Sequence, residues 1–239
     1  MNLAKAYRVP NLSELTSNGE HGSRYELGNE NLKPENAYES DASLHYHGEY
    51  LSFDLAGFYN HIDNYIFISP TAETTSSGMG IYRFEQTNSK LYGGEAGVHF
   101  HPKSTPWLHV QGNYSMVTGK QENGNYLPFI PAPKFRYEIR AEKEMLAFLK
   151  HPNIWVSALT ALKQDKPSPY ETETDGYTLV NAGINTEIKL NNQLMNIGLS
   201  VNNIFNAKYF DHLSTLKPLN YYNQGRNVSL TLKVPFGIN

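Results

Sequence analysis

Cysteine is absent from all 239 residues, and tryptophan occurs only twice. Without thiols there is no disulfide, no thiolate metal ligand and no cysteine nucleophile, a composition that fits a cell-envelope protein. No stretch approaches the roughly 18 consecutive apolar residues of a membrane-spanning helix. A basic run is missing too: 20 Lys and Arg face 23 Asp and Glu, a net charge of −3. The footprint of a phosphate-backbone binder is therefore absent, and nucleic acid is not an expected partner. Met1 to Pro10 lacks the roughly 7–15-residue apolar core of a secretory leader. There is no nucleophile elbow and no phosphate-cradling loop, and the acids and histidines are scattered by a period of two rather than converging. An enzyme is not expected, nor is a cofactor.

What is present is aromatic. The apolar fraction of 39% lies below the roughly 45–50% of soluble domains, yet there are 17 Tyr and 11 Phe. Low hydropathy with many tyrosines suits a wall that is apolar only at alternate positions and carries aromatic belts at two interfaces. It also suits a glycan-binding β protein. Near the C-terminus Val228, Leu230, Leu232, Val234 and Phe236 alternate with Asn227, Ser229, Thr231 and Lys233. A period of two with one apolar face is a strand signal, and two walls accept it: that of a β-sandwich or that of a membrane barrel.

The same alternation recurs along the chain. Strands are predicted at about 35–47, 51–68, 80–101, 108–117, 134–142, 153–164, 177–188, 193–201 and 225–236, about nine in all. Residues 9–34, with Pro10, Gly19, Gly22, Gly28 and Pro34, read as a long loop; 69–79, 118–127, 165–176 and 207–224 read as further loops. In the fifth strand Phe135, Tyr137, Ile139 and Ala141 oppose Arg136, Glu138, Arg140 and Glu142, whose alternating signs are expected to pair across strands in a wet lumen. The sixth has two competing apolar faces, Ile154/Val156/Ala158 and Trp155/Leu159/Ala161. Short turns, such as that at Asn191-Asn192, alternate with long loops, the end-to-end asymmetry of an outer-membrane barrel. That architecture puts Leu51, Leu108, Leu199 and Leu230 all on one lipid-facing surface; a sandwich would bury them under a second sheet.

Several stretches then resemble one family, the TonB-dependent outer-membrane receptors: Tyr7-Arg-Val-Pro-Asn-Leu-Ser-Glu-Leu15, Tyr25-Glu-Leu-Gly-Asn-Glu-Asn-Leu-Lys-Pro-Glu35, Leu91-Tyr-Gly-Gly-Glu-Ala-Gly97, and Val201-Asn-Asn-Ile-Phe-Asn-Ala-Lys-Tyr209 with Gly225-Arg-Asn to Phe236. The resemblance implies an all-β, antiparallel, meandering segment over 1–239, the last strands of a 22-stranded barrel that imports a siderophore, haem or metal complex with energy from TonB. Its partners would be outer-membrane lipid, the cargo and, through a plug outside this chain, the TonB complex. Nine strands leave two open edges, so the chain is expected to be a fragment that cannot transport alone. Phe236 is followed by Gly-Ile-Asn, whereas the family often ends on its aromatic residue. By the same resemblance His21, Tyr25 and His212, on loops at the outer end, are candidates for cargo contact. His99, His101 and His109 share a predicted face and are metal candidates, weighed against simple polar residues at the inner rim. The competing readings are a glycan-binding β-sandwich and a passive porin.

Overall fold

The computed structural model describes residues 1–190 and 193–235. The expected turn at Asn191-Asn192 and the strand end at Phe236 lie outside the described residues. In chain order the elements are β1 (Asn2–Arg8), α1 (Leu12–Thr16), β2 (Asn18–His21), β3 (Arg24–Leu27), β4 (Glu35–His47), β5 (Leu51–Thr74), β6 (Gly80–Phe100), β7 (Leu108–Gln121), β8 (Lys134–Glu142), β9 (Met145–Leu146), β10 (Leu149–Ala161), β11 (Tyr177–Leu190), β12 (Gln193–Asn202) and β13 (Asn227–Lys233). All thirteen strands belong to one sheet, whose path runs β1-β4-β5-β6-β7-β8-β10-β11-β12-β13. Each step along it is antiparallel between neighbours in sequence order, a meander. The path holds ten strands rather than nine, because β1 pairs with β4 from Asn2↔Asp41 to Arg8↔Glu35.

Register shows what the alternation means. Directly opposed residues share a face, and the pairings carry one row through Leu108, Ala141, Ile154, Ile184, Leu199 and Leu230. The next row runs through Leu51, Phe100, Val110, Ile139, Val156, Ala182, Val201 and Val228. All four marker leucines thus lie on the same face. Among the described residues nothing packs over it: Ile139 is 57% exposed, Leu199 43% and Leu230 76%. A sandwich is ruled out by that bare face.

The opposite face is polar. It carries Arg136, Glu138, Arg140 and Glu142, whose cross-strand neighbours are neutral or histidine: Asn113, Gln111 and His109 on one side, Leu159, Ser157, Trp155 and Asn153 on the other. Opposite charges do not pair across strands here; the ionic contact among the described residues of this group is Arg140 to Glu142 along the strand, at 3.7 Å. The ambiguous strand is also resolved. Ile154, Val156 and Ala158 take the apolar face, while Trp155 lies on the polar one against Gly183, where an added Cβ would stand 2.6 Å from the indole. Glycine there gives the ring its seat.

Several loops prove more structured than their composition suggests. Residues 9–34 contain α1, begun by a capping box in which Asn11 and Glu14 satisfy each other's backbone N–H, and the β2–β3 hairpin, turned at Gly22 with φ 63°. The loop expected at 69–79 shrinks to 75–79, because threonine-rich strand ends pair on to Thr74↔Gly80 and a register shift between Pro70 and Thr74 absorbs the proline. Strand β7 likewise runs on to Gln121, and β10 begins early, at Leu149, where it turns back on β9. The buried apolar residues, Leu32, Ile62, Ile66, Phe67, Leu127, Ala132 and Ala161, all sit at the long-loop end. The wall has no core of its own.

A wall whose apolar face meets lipid predicts an asymmetric response. Leu55→Arg, in mid-strand on the apolar face, should cost about 2–4 kcal/mol in refolding equilibria in vesicles. Ser157→Arg, on the polar face, should change stability by no more than about 0.5 kcal/mol.

Candidate functional site

At the long-loop end the connections knit into one layer. Its anchor is Arg8: the guanidinium donates from Nη1 to both Glu14 oxygens at 2.9 Å and from Nε and Nη2 to Glu35 at 2.9 and 2.7 Å. Glu35 also accepts the Ile66 N–H at 2.6 Å, so one ion-pair group pins β1, α1, β4 and β5 together. The β2–β3 hairpin then reaches across and adds β3 to β6 as a parallel strand, Tyr25↔Ile81 to Leu27↔Arg83. Arg24 lies over the rings of Tyr82 and Phe129, 5.2 and 5.8 Å from their centroids, and pairs with Glu26 at 2.6 Å.

From Phe129 the layer continues to the two C-terminal loops. The Phe129 N–H donates to Glu171 at 3.0 Å, and Glu171 accepts Ser168 N–H and Oγ–H at 2.9 and 2.8 Å. His212 shares a hydrogen bond of 2.7 Å between Nδ1 and the Thr174 hydroxyl, while its Nε2 stands 3.8 Å from Glu171. Asp211 accepts from Lys134 Nζ at 2.9 Å and from the Tyr177 hydroxyl at 2.8 Å. Burial alone would raise Asp211, but Lys134, the Leu213 N–H and Tyr177 outweigh it and hold the carboxyl below its ordinary range. Burial pushes His212 below its usual 6.5; Glu171 and Asp211 pull the other way and Lys217 adds to the lowering.

Between these two loops lies a hollow of about 450 Å³. Tyr177 and Tyr209 meet at 4.4 Å between centroids, Phe210 and Tyr222 at 4.6 Å, and Lys208 Nζ stands 5.8 Å from the Tyr222 ring. Lys217, Glu173 and Asp175 line it as well, two acids to two lysines. Tyr177 and Lys134 project from the polar face of the wall, in one row with Glu95 and Ser115. Aromatic faces beside charged groups of both signs hold a flat, charged ligand by stacking and charge-assisted hydrogen bonds.

The residues singled out in the sequence are placed as follows. His21 is exposed on the β2–β3 hairpin, its Nδ1 3.3 Å from Glu26. Tyr25, on the same hairpin, donates its hydroxyl to Asn18 at 2.9 Å. His212 is not an open loop histidine: it is buried at 9% exposure, with protein groups at both ring nitrogens. Ser23 donates to the Thr215 carbonyl at 2.9 Å and joins the hairpin to the His212 loop, yet no hydrogen bond links the three candidate side chains among the described residues. His99, His101 and His109 do come together, at the short-turn end. Their centroids are 4.7 and 5.4 Å apart, and His99 Nε2 lies 3.1 Å from His109 Nδ1. The rings pack on one another, and among the described residues no three His, Cys, Asp or Glu are disposed to hold a metal. The hollow itself escaped the sequence reading. Lys134 and Asp211 are 77 positions apart, and no spacing rule joins them.

Ten strands in a meander, apolar on one face and polar on the other, with short turns at one end and folded loops at the other, define the wall of an outer-membrane barrel. The family model described as TonB dependent receptor-like, beta-barrel, matches residues 1–204. The chain belongs to that family, whose barrels reside in the outer membrane and whose members are receptors rather than enzymes. Among solved structures it is similar to the copper transporter OprC, at 17% identity and a TM-score of 0.78, covering 96% of this chain and 36% of that one. It is also similar to a mutant of the ferric enterobactin receptor PfeA from Pseudomonas aeruginosa, at 18% and 0.65, covering 96% and 37%. The siderophore receptor PirA from Acinetobacter baumannii follows at 19% and 0.62, covering 98% and 38%. The chain thus spans little more than a third of these proteins.

The depressed His212 pKa has a signed consequence. An imidazole held neutral in the fold but free to protonate in the opened loop contributes stability above about 6.5, lost as pH falls from there toward the folded value. Limited proteolysis of the 165–176 and 207–224 loops should be slow and flat above pH ~6.5 and accelerate below it, and His212→Gln should flatten that rise.

Proposed function

We propose that this chain is the C-terminal part of the barrel of an outer-membrane importer, with the plug and earlier strands supplied by a longer protein. Its short turns face the periplasm and its folded loops the outside. It takes up a small metal complex, such as a siderophore, haem or a chelated metal ion, driven by TonB through the plug. The observation that carries this reading is the hollow among Tyr177, Lys208, Tyr209 and Tyr222, which opens between two loops above the polar face of the wall. A diffusion pore needs no aromatic, charge-lined cup at its mouth; a receptor for a flat, charged complex does. The exposed His21 and the half-buried Tyr25 on the neighbouring hairpin extend the same rim, and His212 acts from beneath, holding the 165–176 loop in place.

The test is cargo binding and energised uptake by the full receptor in outer membranes, with a ferric catecholate, haem and cupric ion offered in parallel. One of them should be taken up in a TonB-dependent way. Tyr209→Ala with Lys208→Ala should weaken its binding at least about tenfold, roughly 1.4 kcal/mol, and His21→Ala should weaken it less. Uptake of small solutes without preference and without TonB would make the protein a porin.

A further inference from the structure

The short turn between β8 and β10 differs from the other short turns. Residues 48–50 are Gly-Glu-Tyr and 101–107 are His-Pro-Lys-Ser-Thr-Pro-Trp, whereas this turn presents Met145, Leu146 and Phe148, exposed at 60%, 53% and 78%. It is a shaped element, not a slack one. β9 pairs with β10 through Leu146↔Leu149 and Met145↔Lys150, and its base is tied by Lys143 N–H to Pro152 O at 3.0 Å and His151 N–H to Glu144 O at 2.9 Å. Ala147 holds φ 55°, a left-handed conformation that alanine adopts only when the surroundings impose it.

Beside this turn is a groove of about 420 Å³, lined by Leu146 and Leu149 of the turn, Trp107 of the neighbouring turn, and Ile154, Ile184 and Leu199 of the wall. The wall residues belong to the apolar row traced above, so the groove is continuous with the lipid-facing surface. Water finds few partners in such a place. At the base of the turn Lys143, which also borders the groove, is followed by Glu144, both exposed. A cation and an acid at the base of one turn complement a zwitterionic headgroup, phosphate on the lysine and ammonium on the glutamate.

We propose that this groove is a lipid-binding site that seats one acyl chain of an amine-bearing zwitterionic phospholipid from the periplasmic leaflet, clasped by the Met145–Leu149 turn. The proposal rests on the membrane placement given above. The turn dips its apolar tip into the leaflet, and its charged base stays at the headgroup level. A lipid held this way exchanges more slowly than those along the open wall, because it is enclosed by side chains on several sides.

The experiment uses the full receptor reconstituted in phosphatidylethanolamine vesicles, then extracted and exchanged into detergent while the retained phospholipid is counted by mass spectrometry. The parent should keep about one phospholipid per chain through exchange. Leu146→Ser with Leu149→Ser, which strips the clasp, and Ile184→Trp, which fills the groove and leaves the turn intact, should each speed its loss at least about tenfold. Brominated acyl chains should quench the Trp107 emission, taken as the difference between parent and Trp107→Phe, more in the parent than in Ile184→Trp. Equal retention in parent and variants, no retained lipid, or capture of a periplasmic protein at this turn would overturn the proposal while the receptor still inserts. Failure of the receptor to enter vesicles at all would overturn the membrane placement with it.

Discussion

The structure depends on the backbone ladder that joins ten strands edge to edge. A wall in hydrocarbon has no water to satisfy its N–H and C=O groups, so each must find a neighbouring strand. The meander does this without interruption from β1 to β13. The ladder also fixes parity. Because opposed residues share a face, one register places the alternating apolar set outside, and a slip by a single residue would turn that set inward. The free sides of β1 and β13 carry the same unpaired groups that the interior strands have resolved, and a barrel disposes of such edges by closing. The neighbours with the same fold are nearly three times as long, room enough for the strands that would close it.

Since the ladder holds the wall, side-chain packing is released for use elsewhere. The buried residues gather at the long-loop end, and many are polar: Glu14, Glu26, Glu35, Gln164, Ser168, Thr174, Asn203 and His212. Buried polar groups are tolerable only when satisfied, and these are, through Arg8, Arg24, Gln164 to the Ile130 carbonyl, and Asn203 to the Ala207 backbone. Loops built this way are rigid. A rigid layer costs a ligand little ordering entropy on binding, and its links run from Ser23 through Thr215 and from Phe129 through Glu171 to His212, so a change at one loop reaches the others through defined bonds.

The sequence was legible wherever one physical rule decided the outcome. Period-two alternation located nine of the ten path strands and the shared face of Leu51, Leu108, Leu199 and Leu230. It failed for β1, where Ala4, Lys5 and Ala6 blur the contrast between faces and pairing with β4 supplies the strand. Proline and glycine give residues 9–34 the composition of a loop, while the helix within them is signalled by the Asn11–Glu14 capping box alone. The loop positions of His21 and Tyr25 could be read from turn chemistry. The burial of His212 could not, since it follows from Thr174 and Glu171, 38 and 41 positions earlier. The apolar turn at Met145–Leu149 was visible as a composition, but the groove it makes with Ile184 and Leu199 exists only once five strands are laid side by side.

That division also accounts for how little sequence the fold requires. OprC shares 17% of residues with this chain, yet the backbones superpose with a TM-score of 0.78. A lipid-facing position asks only to be apolar, a lumen position only to be polar, and the hydrogen bonds that hold the strands belong to the backbone of any residue but proline. Nearly every wall position can therefore change within its class at little cost. The loop layer has no such freedom. Replacing Arg8 would leave two buried carboxylates without their cation, and replacing Glu171 would remove the acceptor of Phe129 and Ser168 and the acid beside His212. Identity within such a barrel family should therefore be concentrated in the side chains that tie the loops, while specificity resides in those that face the hollow, which the ties hold still and do not determine.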